Sequence, residues 1–205
     1  MNIFSIERIF PTCYIKSNLV RDFTREEKDY FSSVDKYEKN TGNMISTRKD
    51  VLNDERIADL KAFCLAGVNF YVDKIIRPVN KMDFYMTQSW FNFTKPGDFH
   101  HTHTHANSIL SGVLYTKATE GEDNIVFTSP ILNNIINIES NDFVYENART
   151  WIVPVRTGDL IIFPSNLEHR VDTTKGKDVR ISIAFNTFAK GIFGTSQNAT
   201  ELILT

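Results

Sequence analysis

Four of the five histidines in this chain fall within six residues, from His100 to His105, and the fifth, His169, lies far along the sequence. Alternate side chains of a β-strand point to the same face, so His101, His103 and His105 would share one face of a strand. Neutral imidazole is the commonest metal ligand among protein side chains. A histidine pair on one strand and a third histidine from a distant strand therefore predict a metal site.

Two glycines set the spacing of this histidine set. Five residues separate Gly97 from His103. Five residues also separate a second glycine, Gly158, from Pro164, which lies five positions before His169. Both spacings resemble the two signatures of cupin barrels, in which one strand carries paired ligands and a turn into another strand delivers the third. We therefore predict that His103, His105 and His169 bind the metal.

The other polar residues near these histidines are not expected to bind the metal. His100 and His101 are interpreted as polar residues at the rim of the site. Asp98 is the nearest upstream carboxylate, but its parity along the strand is opposite to that of the odd-numbered histidines. Glu168 directly precedes His169 and should face the other way. The sequence thus predicts a ligand set of three histidines without a carboxylate.

The first 80 residues read as a mostly helical region. Thr24 and Glu27 have the spacing of a capping box, which predicts a helix from there to about Lys39. A second helix is predicted from near Asn53 until Pro78 ends it. Apolar residues recur along it at three- and four-residue spacing, which predicts one face packed against a sheet. These residues are Ile57, Leu60, Cys64, Val68, Tyr71 and Ile75.

From about Asp83 onward the pattern changes to short strands separated by turn signals, which indicates an antiparallel sandwich or barrel. Strands are expected over residues 84–93, 109–116, 124–128, 150–155, 160–163, 168–172 and 179–188. The polar, Asn-rich stretch 130–149 is interpreted as a long excursion or lid. We expect a single domain, 1–205, in which a helical region, 1–80, supports a β core, 83–190.

Arg180 is a second candidate for chemistry at the site. If 168–172 and 179–188 are adjacent antiparallel strands joined by a short turn, Arg180 returns close to His169. A guanidinium group is well suited to hold a carboxylate through two hydrogen bonds. A metal and an arginine together fit a dicarboxylate that chelates the metal at one end and is clamped at the other. 2-Oxoglutarate has this shape.

Several motifs, taken in chain order, carry a likeness to a known family. They are Ser89–Asn92, Gly97, His103–Ser108, Ser111–Tyr115, Pro164–Val171 and Arg180–Asn186. On these motifs the sequence resembles the prolyl-hydroxylase-like 2-oxoglutarate–Fe(II) oxygenases found in bacteria and phages. The resemblance covers residues 85–190 well and the N-terminal half weakly.

The resemblance implies a mainly β chain with a double-stranded β-helix fold, jelly-roll or cupin-like, with N-terminal helices packed on one sheet. It implies an Fe(II)/2-oxoglutarate-dependent dioxygenase of the hydroxylase type, which couples 2-oxoglutarate decarboxylation to oxidation of a substrate C–H bond. Fe(II) is the implied metal and 2-oxoglutarate the implied cosubstrate. Carried over by position, His103 and His169 match metal ligands, and Tyr115 and Arg180 match residues that bind the distal carboxylate, with Ser182 as a helper. No catalytic residue is expected beyond the metal ligands.

The sequence departs from the family pattern at one ligand. The family uses His-x-Asp/Glu followed by a distant histidine, and His105 occupies the position of the carboxylate. A neutral third ligand leaves the Fe(II) site more positive by one charge. Iron sites with three histidines function in cupin-type dioxygenases, so His105 is compatible with activity.

Two other functions stay open on the sequence alone. One is a cupin-type metalloenzyme with three histidines that does not use 2-oxoglutarate. The other is a non-catalytic jelly roll that binds a ligand and whose histidines only line a cleft.

Composition and net charge limit the classes of partner that the chain is expected to bind. The 205 residues carry a net charge of −2, which gives no electrostatic case for nucleic acid or an anionic membrane. Cys13 and Cys64 form no CxxC motif and are interpreted as free thiols in a reducing compartment. With no recognisable signal peptide, we expect a cytoplasmic protein, in the host cell if the source is viral. The expected partners are O2 and a small-molecule or peptide substrate, and self-association into a homo-oligomer stays open.

Overall fold

The structure is a computed structural model that describes residues 4–131, 136 and 138–205. Within these residues the chain forms two α-helices, α1 (Arg25–Ser33) and α2 (Ala58–Tyr71), three short 3-10 or π-helical segments, and twelve strands numbered in chain order. The strands are β1 (Ile15–Asn18), β2 (Tyr37–Lys39), β3 (Met44–Ser46), β4 (Met82–Thr94), β5 (His100–His103), β6 (Leu110–Lys117), β7 (Asn124–Thr128), β8 (Thr150–Pro154), β9 (Asp159–Pro164), β10 (His169–Val171), β11 (Arg180–Phe193) and β12 (Leu202–Leu204).

Two antiparallel sheets are built from the described strands. The larger sheet has the order β1-β9-β6-β11-β4-β3-β2, with β12 paired to the end of β11. The smaller sheet has the order β5-β10-β7-β8. Apolar side chains from β6, β9 and β11 pack with others from β7 and β8, so one core cluster lies between the two sheets. The strand regions predicted from the sequence are confirmed, each within a few residues except β11, which runs further.

The second core cluster lies on the opposite face of the larger sheet, where α2 packs. Leu60, Cys64 and Val68 of α2 are fully buried there against side chains such as Leu160 and Ile162 of β9. The predicted apolar face is therefore confirmed up to Tyr71. Ile75 departs from it and is 40% exposed, because the chain widens into a π-helical turn after Tyr71 and the later side chains rotate off the face.

The N-terminal region contains three strands in addition to its helices, which the sequence did not predict. The capping box of Thr24 and Glu27 is present, but α1 ends at Ser33 rather than near Lys39. The chain then forms the β2–β3 hairpin, and β3 pairs with β4 of the larger sheet. The prediction was wrong here because the segment 34–46 gains more from adding strands to an existing sheet than from prolonging an amphipathic helix.

The expected hairpin between the last two predicted strands is also wrong. β10 pairs with β5 and β7 in the smaller sheet, whereas β11 pairs with β4 and β6 in the larger one. His169 and Arg180 nevertheless line the same cavity, one from each sheet. They face the interior from opposite sheets rather than lying side by side on neighbouring strands.

Two further features concern expectations from the sequence. Residues 132–135 and 137 of the expected 130–149 excursion lie outside the described residues, and 138–149 form an irregular segment that leads into β8. Among the described helices, none has both the length and the apolar composition needed to cross a bilayer.

Candidate metal centre

Three imidazole rings converge in a cavity between the two sheets. His103 ends β5 and His169 begins β10, and the two residues are direct partners across the strand pair. His105 lies two residues beyond β5, where its backbone N–H donates to the carbonyl of Ser165. One nitrogen from each of His103, His105 and His169 lies within 4.8 Å of the others, and Nε2 of His103 is 3.2 Å from Nε2 of His105.

Each ring has a hydrogen-bond acceptor beside Nδ1, so its Nε2 is left free. Nδ1 of His103 lies 2.8 Å from the carbonyl oxygen of His101, and Nδ1 of His169 lies 3.0 Å from that of Leu167. Nδ1 of His105 contacts the side-chain oxygen of Asn186. An acceptor at Nδ1 places the proton there and leaves a lone pair on Nε2, which is the state that a metal requires.

Burial keeps these rings uncharged. Desolvation lowers the pKa of His103 to about 4 and that of His169 to about 3, in each case assisted by repulsion from the neighbouring histidines. Burial also lowers the pKa of His105. Three neutral imidazoles with converging Nε2 atoms fit a divalent first-row transition metal by their chemistry.

The same pKa shifts predict that the metal-free protein loses stability in mild acid. The unfolded chain takes up protons at these histidines below about pH 6.5, whereas the folded chain does so only near pH 4 and below. The unfolded state then binds more protons, so the free energy of unfolding falls as the pH falls. We expect a loss on the order of 1 kcal/mol per pH unit for each of His103 and His169 between about pH 6 and 4. Urea titrations of metal-free protein at pH 7, 6 and 5 measure this, and a midpoint that is constant over that range contradicts it.

A β-bulge changes which neighbouring histidine faces the interior. His169 pairs with His103 and Val171 pairs with His100, so three residues of β5 span the distance of two on β10. The extra residue breaks the alternation on which the sequence prediction rested. His100 lines the cavity beside the three ligands, whereas His101 does not. Strand alternation therefore failed to predict which of these two histidines lines the cavity, and the bulge is the reason.

His100 is also held from the N-terminal region. Its Nε2 lies 3.1 Å from the side-chain nitrogen of Asn40, in the turn of the β2–β3 hairpin, and its ring stacks on His103 with centroids 4.4 Å apart. His100, His101 and His103 form a second, outer cluster with ligand atoms within 4.8 Å of one another. His103 belongs to both clusters, but its Nε2 lies next to that of His105, which favours the inner cluster of His103, His105 and His169 as the metal site.

Among the described residues, no carboxylate joins the histidines. The side chain of Asp98 accepts a hydrogen bond from the backbone of Lys95 in the preceding turn, and Glu168 is exposed. No acidic side chain lines the cavity.

Arg180 enters the same cavity from the larger sheet. It is 4% exposed, and its Nη2 donates to the hydroxyl of Tyr115 at 3.3 Å. The guanidinium carbon also lies 5.0 Å from the centre of the Tyr115 ring. Ser182 and Asn92 are buried beside it, on facing positions of β11 and β4. The structure thus brings together in one cavity every site residue predicted from the sequence.

Two buried polar atoms in this cavity have no partner. They are Nε of Arg180 and the side-chain oxygen of Asn92. Arg180 also forms no ion pair with any described carboxylate. A buried guanidinium without a counter-charge is costly, so the cavity is suited to an anionic ligand.

Fold and site together define a double-stranded β-helix protein with a histidine cluster that could hold a metal ion. Residues 88–186 match the family model described as "Putative 2OG-Fe(II) oxygenase". The matched region contains His103, His105, His169, Tyr115, Arg180 and Ser182. This match indicates an oxidoreductase of the 2OG-Fe(II) oxygenase type, with Fe(II) and 2-oxoglutarate as cofactors. It implies O2 and a small-molecule substrate as partners.

Solved structures share the fold at low sequence identity. HygX from Streptomyces hygroscopicus, with nickel, 2-oxoglutarate and hygromycin B bound, is 13% identical with a TM-score of 0.57, over 86% of this chain and 82% of its own. A Pseudomonas putida prolyl-4-hydroxylase is 13% identical with a TM-score of 0.52, over 85% of this chain and 92% of its own. A 2OG-Fe(II) oxygenase family oxidoreductase from Burkholderia pseudomallei is 11% identical with a TM-score of 0.56, over 85% and 83%. No curated protein sequence matches significantly. These likenesses confirm the fold class.

Proposed function

We propose that His103, His105 and His169 bind Fe(II) through their Nε2 atoms, and that Arg180 binds the distal carboxylate of 2-oxoglutarate. The observation that carries this proposal is the pairing, in one cavity, of three neutral imidazoles with an unpaired buried guanidinium. Tyr115 orients the guanidinium through its hydroxyl group, and Ser182 offers a further hydroxyl at the same end.

When bound, Fe(II) and 2-oxoglutarate supply the oxidising chemistry: 2-oxoglutarate and O2 yield succinate and CO2, and one oxygen atom enters a substrate C–H bond. The protein contributes binding and orientation. The Nδ1 acceptors fix the three imidazoles with Nε2 inward. Phe163 and Trp90 contact the rings of His169 and His105, which keeps bulk water from the ligands.

A succinate-release assay tests this function. Protein supplied with Fe(II), 2-oxoglutarate and O2 should convert 2-oxoglutarate to succinate slowly even without a primary substrate, and faster when a substrate is found in a panel of small metabolites, amino acids and peptides. The test requires anaerobic and metal-free controls. An iron-loaded protein that neither binds nor turns over 2-oxoglutarate would contradict the proposal.

A second candidate function rests on His105. A metalloenzyme with three histidine ligands and no use of 2-oxoglutarate would have the same inner cluster. It would not need the guanidinium of Arg180, so substitution of that residue separates the two functions.

A further inference from the structure

The three candidate ligands are not held in the same way. His103 and His169 are paired within the smaller sheet, and each finds its Nδ1 acceptor in the backbone two residues earlier. His105 lies beyond the end of β5, so no strand pairing fixes its side chain. Its Nδ1 is the only one of the three whose acceptor is a side chain, and that side chain is Asn186.

Asn186 is a buried polar residue placed at an irregular point of the larger sheet. It is 8% exposed and lies on β11, where Asn186 pairs with Gln88 of β4 but Thr187 pairs with Met86. The extra residue, Thr87, makes a bulge on β4 directly opposite Asn186. Bulges commonly re-aim side chains next to functional sites. The free-energy cost of burying this side-chain amide is offset only if its hydrogen bonds are made.

A chain of serine hydroxyls fixes the orientation of the Asn186 amide. Ser111 donates to the Asn186 side-chain oxygen at 2.9 Å. Ser165 lies 2.8 Å from Ser111 and 2.7 Å from Ser108, oxygen to oxygen. This buried chain holds the amide oxygen, rather than the amide nitrogen, in place to accept a proton donor.

We propose that Asn186, held by Ser111, is a positioning residue that makes His105 a metal ligand. Its oxygen accepts the Nδ1–H of His105, which selects the tautomer with a free Nε2 and sets the plane of a ring that no strand holds. In this role Asn186 orients the ligand that stands at the position of the family's carboxylate, since an acceptor at the second ring nitrogen fixes the ring and raises the basicity of the first. The inference rests on the proposed three-histidine metal site.

Metal affinity and the absorption spectrum of the Co(II)-loaded protein test this inference without any turnover. Asn186→Leu keeps the volume but removes the acceptor, and we expect Co(II) and Fe(II) to bind about 10- to 100-fold more weakly in chelator competition, with an altered Co(II) d–d spectrum. Asn186→Asp keeps an acceptor and should bind metal at least as tightly as the original chain. Ser111→Ala frees the amide to rotate and should weaken binding in the same direction by less.

Thr187→Val is the matched control. Thr187 is fully buried on the same strand, and its side-chain hydroxyl donates to the carbonyl of Leu110 rather than to a histidine. This variant should lose some thermal stability and keep its metal affinity and spectrum. If Asn186→Leu binds Co(II) with the original affinity and spectrum, Asn186 has no positioning role. If Asn186→Leu fails to fold, Ser111→Ala decides, and an unchanged affinity there overturns the inference. If the unsubstituted chain binds no Co(II), the proposed metal site itself is wrong.

Discussion

The His169→Ala variant should lose its metal almost completely and with it all 2-oxoglutarate turnover. His169 is 5% exposed, and its ring lies with centroids 4.3 Å from that of His103 and 5.1 Å from that of His105. Its removal leaves two imidazoles, one of which lies outside a strand. We expect Fe(II) affinity to fall by more than about 100-fold, since even partners outside the ligand set are worth about 10- to 100-fold. Chelator competition and metal analysis of the purified protein measure this loss.

His101→Ala is the informative control for that experiment. His101 belongs to the outer cluster with His100 and His103 but does not line the cavity. It should keep its metal and turnover. The reverse result, with metal lost in His101→Ala and kept in His169→Ala, would place the ion in the outer cluster and contradict the proposed ligands. Thermal unfolding of both metal-free variants separates loss of metal from loss of fold.

The Arg180→Ala variant should keep its metal but lose 2-oxoglutarate. The guanidinium is buried, lacks a counter-charge among the described residues and points into the cavity, so a carboxylate is its natural partner. Truncating one side of a buried charge pair costs about 2–5 kcal/mol. We expect the Kd of 2-oxoglutarate to rise by at least about 30-fold, because every 1.4 kcal/mol is about a factor of ten. Calorimetry on Ni(II)-loaded protein measures binding independently of turnover.

Two further substitutions sharpen the arginine test. Arg180→Lys keeps the charge but not the planar fork, and should recover part of the affinity. Arg170→Ala removes an arginine next to His169 that forms an ion pair with Asp172 on the outside, and should leave 2-oxoglutarate binding unchanged. If Arg180→Ala binds 2-oxoglutarate as well as the original chain does, the metalloenzyme that does not use 2-oxoglutarate becomes the better reading.

The sequence predicted the strands well but not how they pair. Alternating and aromatic-rich runs locate β4, β6, β7 and β9 because each strand buries at least one face. The assignment of β10 and β11 to different sheets depends on contacts between segments far apart in sequence, which no local pattern contains. The short β2–β3 hairpin was missed for a similar reason, since its stability comes from β4.

The candidate site was predicted in its composition and only partly in its geometry. Convergence of His103, His105 and His169 followed from their spacing. The interior position of His100 did not, because a single extra residue in β5 reverses the parity of the strand. Asn186 was quoted in a motif but given no role, since the need for an acceptor beside Nδ1 becomes visible only when His105 is placed beside it.

The lengths of the strands that carry the two halves of the site differ greatly. β5 and β10, which hold His103 and His169, have four and three residues, whereas β11, which carries Arg180 and Asn186, has 14. Short strands with few ladder hydrogen bonds open locally at a free energy well below that of global unfolding. A metal ion bound by His103, His105 and His169 would hold β5, the turn that follows it and β10 together. The rate of amide hydrogen exchange in β5 and β10 would therefore depend on metal occupancy. Amides of β11 would exchange only through global unfolding.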